Sequence, residues 1–300
     1  MHTRKNISWA MLFVICCFTF QVSALAAGQQ DASLKSFLWK VKSDTSTAYI
    51  LGSIHFADET FYPLNETIEN AFNDSSLLVV EINPFTLDEQ EMTRIIMEKG
   101  MYRGEETLVD NIDKETLAML QDHAKKNALP LQNFMKMKPA VLGLTLSTLQ
   151  IVKMGYSPEE GIDNYFCNKA KGKKEIAELE TMEDQLALFL DIPDGDLFLK
   201  YTLIDLENLE KIFTDLVGFW KRGDHAGMDE VLFKPYGDSS ELFPILDRVF
   251  YKRNVNMAAK IKEMLKGKET FFVVVGAGHL VGEKGIIQLL KNEQYALQQL

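Results

Sequence analysis

Two histidines and two glutamates are the residues of this sequence whose setting points to chemistry. His279 closes the run Phe271-Phe-Val-Val-Val-Gly-Ala-Gly-His279. An unbroken apolar stretch of this length predicts a buried strand. Gly276 and Gly278 break it, and the imidazole follows on the turn. Thr47-Ala-Tyr-Ile-Leu-Gly52-Ser-Ile-His55 repeats the arrangement far upstream. The pattern G-x-x-H therefore occurs twice, Gly52 to His55 and Gly276 to His279, each time closing a predicted strand. Leu77-Leu-Val-Val-Glu81 predicts a third buried strand that ends in a carboxylate, and a buried Glu needs a partner. Lys173 to Glu180 predicts a fourth, shorter strand, ending on a second carboxylate.

In a mainly parallel sheet these four ends lie along one edge, where open α/β sheets place their ligands. Two imidazoles and a carboxylate suit a divalent transition metal such as Zn2+, Mn2+ or Fe2+. A second carboxylate would then act as general base. Residue types alone leave open which carboxylate takes which role. A metal-free alternative uses one histidine as base with a glutamate orienting it. In the bland alternative both histidines bond only to backbone. His123 and His225 lack such a setting and read as surface residues. Cys167, beside Tyr165 and Phe166, reads as a buried thiol.

The elements that must carry these residues follow from periodicity. Phe37 to Lys42 and Ala48 to Leu51 predict a hairpin around Ser43-Asp44-Thr45. Helical spacing covers Asn65 to Phe72, Leu87 to Gly100, Lys114 to Asn127 and Val141 to Met154, with a further piece between Pro130 and Pro139. The middle third is rich in methionine, which reads as core filling. Gly161-Ile-Asp163 opens another helix, with Asp163 as its N-cap. Thr181 caps the next, with Asp184 three positions on. Gln185 to Trp220 is helical with a break at Pro193-Asp-Gly195. Residues 221–229 have a loop composition, and Pro244 to Leu265 is amphipathic. The expected class is α/β, a mixed, largely parallel sheet flanked by helices with a helix-rich middle section.

The chain has 300 residues, 46% of them hydrophobic and 25% charged, and a net charge of −11. That argues against a nucleic-acid partner, which calls for a basic patch. Arg4 and Lys5, the apolar run Trp9 to Phe20 and Ala24-Leu25-Ala26 form a secretory signal. The expected layout is a signal peptide over 1–26, a flexible segment over 27–36, and one domain over 37–300 with a helical insertion at about 85–160. The mature protein is expected to be periplasmic or secreted, without stable membrane insertion. One cysteine remains after cleavage, so no internal disulfide forms.

The motifs resemble those of the TraB/GumN superfamily, which includes the Tiki metalloproteases. The likeness rests on Leu38-Trp39-Lys-Val, Leu51-Gly52-Ser-Ile-His55, Val79-Val80-Glu81, Gly161-Ile-Asp163, Leu179-Glu180-Thr181 with Gln185, Arg253-Asn254-Val-Asn-Met-Ala, and Val275-Gly-Ala-Gly-His279-Leu-Val-Gly282. The resemblance implies an α/β fold whose site is built from the two G-x-x-H segments and Glu81. It also implies metal-dependent peptide cleavage, with Mn2+ or Co2+ favoured over Zn2+ or Fe2+. Carried onto this chain, His55, Glu81 and His279 are the metal set. Glu180 and Arg253 are the catalytic pair, Arg253 being suited to stabilise an oxyanion or a carboxylate. Gly52, Gly276, Gly278 and Asn254 are expected at the substrate. The expectation is an exported metal-dependent hydrolase acting on a peptide or small molecule. The alternative is a sequestering protein that binds a peptide or ligand in the same pocket without turnover. A nucleotide loop is set aside, because Gly276, Gly278 and Gly282 are spaced one residue too long for the dinucleotide fingerprint.

Overall fold

Six strands form one sheet: β1 (Leu38–Lys42), β2 (Thr47–Ser53), β3 (Leu77–Val80), β4 (Glu175–Glu178), β5 (Thr270–Gly276) and β6 (Ala296–Gln299). Their order is β4-β3-β5-β2-β1-β6. The computed structural model describes residues 35–234 and 241–300. The signal peptide expected over 1–26 lies outside the described residues, as does most of the segment 27–36. Ser36, the last residue of that segment, is buried and donates its backbone N–H to Leu300 O.

The valine-rich runs predict the centre of the sheet. β5 lies between β3 and β2 and pairs in parallel with both, Val79 opposite Val273 and Ile50 opposite Val273. β4 joins β3 in parallel. β1 and β6 add antiparallel strands at the other side, so the sheet is mixed and largely parallel, as expected. The hairpin of β1 and β2 is as read from the sequence. β6 was not anticipated. Its residues Ala296-Leu-Gln-Gln form a half-exposed edge with little apolar alternation.

Helices cover both faces. α1 (Glu66–Asn73) and α5 (Ile162–Ala170) pack their apolar sides on the sheet, with Phe72 and Phe166 against Phe272. Between them in sequence lie α2 (Glu89–Lys99), α3 (Lys114–Lys126) and α4 (Pro139–Lys153). The piece between Pro130 and Pro139 is a single 3-10 turn, Leu131–Phe134. After β4 come α6 (Met182–Leu190), α7 (Gly195–Leu206), α8 (Leu209–Lys221) and α9 (His225–Leu232). Residues 225–232 are therefore helical, where composition predicted a loop. Asp224 caps this helix by accepting from Gly227 N, so its Asp and Gly residues mark a helix start. The last helices are α10 (Phe243–Leu246), α11 (Lys252–Leu265) and α12 (Ile286–Asn292), with a π-helical turn over Asp247–Tyr251 joining α10 to α11.

The main core fills both faces of the sheet. A second cluster joins α3 and α4 to α7 through Leu120, Leu142, Leu146, Leu199 and Leu203. The helix-rich layer thus draws on α7 as well as on the 85–160 stretch. Met92 and Met137 are buried in these smaller cores, as core filling requires. Cys167 is buried on α5.

Candidate functional site

Four adjacent parallel strands deliver the four residues singled out above to one edge. Pairing of Ser53 with Gly276 brings the two G-x-x-H turns side by side. Glu81 directly follows β3. Glu180 N donates to Glu81 O at 2.9 Å, which continues the β3–β4 pairing beyond the named strands. His279 sits on a 3-10 turn, Ala277–His279.

Both imidazoles are fixed through Nδ1. His279 Nδ1 lies 2.6 Å from Asn254 Oδ1. Asn254 Nδ2 is committed to Lys284 O at 2.9 Å, so Oδ1 is the acceptor and His279 carries its proton on Nδ1. Burial, aided by the charges of Arg253 and His55 and opposed by Glu81, pushes the His279 pKa down to about 3. His279 is therefore neutral near pH 7, and its Nε2 presents a lone pair.

His55 Nδ1 bonds Asp163 Oδ2 at 2.8 Å, and Ser53 Oγ donates to Asp163 Oδ1 at 2.8 Å. Asp163 only accepts, so His55 Nε2 is again the open nitrogen. Its side chain is 43% exposed, toward a cavity inside the molecule. Burial lowers the His55 pKa, but the charge and hydrogen bond of Asp163, with Glu81 behind, raise it to about 9, so in the metal-free protein Nε2 carries a proton near pH 7 that a bound ion would have to displace.

The close approach of α5 makes this pair. A Cβ at Gly161 would stand 2.3 Å from His55 O, so only glycine lets Ile162 N donate to Ile54 O and brings Asp163 within reach. The N-cap of α5 is Gly161, and Asp163 lies one turn position inside it. The expectation that Asp163 caps the helix is corrected: its carboxylate turns to Ser53 and His55 instead.

Glu81 is 7% exposed. Its Oε1 accepts from Gly276 N at 2.6 Å, and its Oε2 from Arg253 Nη2 at 2.6 Å and Gln185 Nε2 at 3.1 Å. Burial raises its pKa, but the nearby His279, Arg253 and His55 and the Gly276 N–H outweigh that and hold it at about 2. Glu180 receives Arg253 Nε at 2.8 Å and Nη2 at 2.6 Å, and Gln185 Nε2 at 3.0 Å. Arg253 thus bridges two buried carboxylates. The capping box of Thr181 and Asp184 starts α6 directly after Glu180, which sets Gln185 beside both. The π turn before Arg253 places Phe250 against His279, ring centres 5.2 Å apart.

A cavity of about 440 Å³ opens over this edge. His55, Glu81, His279, Arg253, Gly276 and Gly278 line it, together with Asp163 and Gln185, neither of which was expected at the site from residue pattern. Glu180, Gly52 and Asn254 stand behind the lining. Gly52 is buried in β2, where an added Cβ would meet the Phe37 ring at 2.5 Å. His123 is half-buried on α3, and His225 is exposed and edge-on to Trp39.

Among the described residues no three His, Cys, Asp or Glu side chains form a ready-made metal-ligand group. The donors nevertheless fit a divalent ion in kind. His279 Nε2 and Glu81 Oε1 face each other at 3.9 Å, a lone pair opposite a carboxylate, with the histidine neutral. A methyl group on Gly276 would sit 3.3 Å from His55 Nε2, 3.4 Å from Glu81 Oε1 and 3.5 Å from His279 Cδ2. His55 Nε2, Glu81 Oε1 and the edge of the His279 ring thus border the same space beside Gly276. Imidazoles oriented through the far nitrogen by a carboxylate or amide are the usual support of metal-ligating histidines.

Among known proteins the chain is similar to YbaP of Escherichia coli, a protein without an assigned function. The two are 26% identical over 81% of this chain and 87% of that one. It is also similar to the metalloprotease TIKI1 of Xenopus tropicalis, 23% identical over 89% of this chain and 62% of the relative, and to TIKI1 of Danio rerio, 22% identical over 99% and 72%. No solved structure matches the chain. The sheet and every loop that carries the site fall within a match to one family, over residues 37–299, and by that match the chain belongs to the TraB/PrgY/gumN family.

Proposed function

We propose that the protein is a metal-dependent hydrolase that cuts peptide bonds, with His55 Nε2, His279 Nε2 and Glu81 Oε1 holding a divalent ion, Mn2+ or Co2+ ahead of Zn2+ or Fe2+. The observation that supports this most is the gathering of His55, Glu81 and His279 around Gly276 at one edge of the sheet. Similarity to proteins named metalloproteases points the same way. When bound, a divalent ion supplies Lewis acidity, polarising a carbonyl and lowering the pKa of water.

The chain's own residues prepare that chemistry. Asp163 and Asn254 fix the two imidazoles through Nδ1, which leaves each Nε2 as the nitrogen for a ligand. Gly276 N–H, Gln185 and Arg253 keep Glu81 ionised and still. Arg253 lines the cavity and sets a fixed positive charge where a carbonyl oxygen gains negative charge during attack. Glu180, behind the lining and held by Arg253 and Gln185, is assigned to positioning Arg253. Cleavage adds the oxygen of water to the carbonyl carbon and a proton to the departing amine. The charged, apolar and small-residue pattern of residues 1–26 supports an exported setting for this reaction.

The test is a peptide-library digestion read by mass spectrometry, using protein loaded with each metal in turn. We expect cleavage that a chelator abolishes and that a His55→Ala/His279→Ala variant lacks. Metal-loaded, folded protein that binds peptides and cleaves none would replace the hydrolase by the sequestering alternative.

A further inference from the structure

Polar groups lie only on part of the cavity. The charged and imidazole lining residues His55, Glu81, Asp163, Arg253 and His279 all belong to the sheet edge or to the helix turns docked on it, and each is engaged by another of the molecule's own groups. The walls above them are different. α4 contributes Leu144 and Ile151, α6 Phe189, α8 Leu216, α9 Leu232, and the π turn Phe250. No lysine lines the cavity, and no carboxylate besides Glu81 and Asp163 does so among the described residues.

We infer that this cleft selects a peptide segment carrying bulky apolar side chains on either side of the bond that lies over the Gly276 point. The bond-cutting half of the statement rests on the hydrolase reading; the binding half does not. A charged substrate side chain against these walls would lose its water and find no partner, which costs far more than it returns. An apolar side chain of leucine or phenylalanine size gains by leaving water there. The volume, about 440 Å³, lies in the range of small-ligand pockets, about 300–1,000 Å³. It takes a few residues of extended chain and excludes a folded domain.

The walls also favour a peptide over an acyl chain. Ser147 and Thr148 on α4 and Gln185 on α6 line the same cavity among the apolar residues. The Gln185 Nε2 is taken by Glu81 and Glu180, but the two hydroxyls match the alternating N–H and C=O of a backbone. A hydrocarbon tail would bury them with nothing to bond. Spacing puts these residues on one face of each helix: Leu144, Ser147, Thr148 and Ile151 stand three, four and seven apart, as do Gln185, Leu188 and Phe189 at three and four.

The experiment measures binding and cleavage separately. Acetylated hexapeptide amides with Leu-Phe, Ser-Asn or Asp-Lys at the centre, and decanoate as the acyl probe, are titrated calorimetrically into full-length protein with and without Mn2+. The same peptides are incubated and read by mass spectrometry. We expect Leu-Phe to bind at least about tenfold more tightly than the polar pairs, the scale of discrimination an apolar pocket achieves, and to be cut between those residues. Leu216→Asn and, on a separate helix, Phe189→Ser should each remove most of that preference while circular dichroism shows native helix content. Two half-buried wall positions are used so that one failure to fold leaves the other readable. Tight binding of Leu-Phe without cleavage would sink the hydrolase and leave the present inference standing. Cleavage of all three peptides at similar rates, decanoate binding above every peptide, or no binding of Leu-Phe would each overturn it.

Discussion

Arg253 is the residue on which the polar side of the cavity hangs. It is 12% exposed and faces Glu81 and Glu180, themselves 9% and 8% exposed in their side chains. Removing one partner of a buried ion pair leaves the others charged and desolvated, at a cost of about 3–5 kcal/mol. Arg253→Met should lower stability by that order in urea unfolding. Adding Glu180→Gln to it should recover part of the loss, because one stranded charge disappears. Titration gives a second prediction at this scale, for metal-free protein. The folded pKa of His279 lies near 3, below its ordinary value of 6.5, and that of Glu81 near 2, below 4.5. The unfolded chain therefore holds more protons, and stability falls as pH drops from about 6.5 toward 3. His55, raised to about 9, works oppositely: its contribution is complete below about 6.5 and fades as pH rises through 9. Melting temperature should peak near neutrality, and His279→Leu should flatten the limb between pH 6.5 and 4. His55, Glu81 and His279 were legible in the sequence because each ends a strand of unmistakable pattern. The roles of Asp163 and Gln185 were not, since His55 and Glu81, to which they bond, lie more than a hundred residues away in the chain. Glu81 and Glu180 looked equivalent; only packing separates the one that lines the cavity from the one behind it.

At the scale of elements, the site depends on how closely α5 docks on the end of β2. An added methyl at Gly161, 2.3 Å from His55 O, must push α5 outward. Gly161→Ala should destabilise the fold by about 1–3 kcal/mol, as overpacking does. It should also weaken Mn2+ binding, because Asp163 retreats from His55. Parallel calorimetry and thermal melts check both effects. Strand existence and parallel order were readable from the valine-rich runs, which suit strands buried on both faces. β6 escaped because an edge strand needs only half its residues buried. α9 escaped because the Asp and Gly residues that open a helix also compose loops. The break between α7 and α8 at Glu207 and Asn208 carries no proline or glycine, which hid it within a continuous helical pattern.

For the molecule as a whole, the polar edge and the α4 part of the cavity wall rest on different cores. His55, Glu81 and His279 are carried by the sheet and its cluster, while α4, which lines one wall, is held largely by the cluster shared with α3 and α7. Leu199 is fully buried in that second cluster. Leu199→Ala should cost about 2–5 kcal/mol and loosen peptide binding, yet leave Mn2+ affinity unchanged. Equal loss of both would show that walls and floor are one unit. Among the described residues no helix is long and apolar enough to cross a membrane.

We propose that His55, Glu81 and His279 hold one divalent ion beside Gly276. Calorimetric titration of Mn2+ into Gly276→Ala beside wild type tests it most directly. The backbone at Gly276 has φ −49, which alanine adopts freely, and its methyl would meet no neighbour closer than 3.3 Å. The variant should therefore fold with a near-native melting temperature. If the three residues hold the ion, wild type binds one Mn2+ per chain and the variant binds it markedly more weakly, because the methyl crowds His55 Nε2, Glu81 Oε1 and the His279 ring. Equal binding by a folded Gly276→Ala variant, or no binding of any divalent ion by wild type, would contradict it.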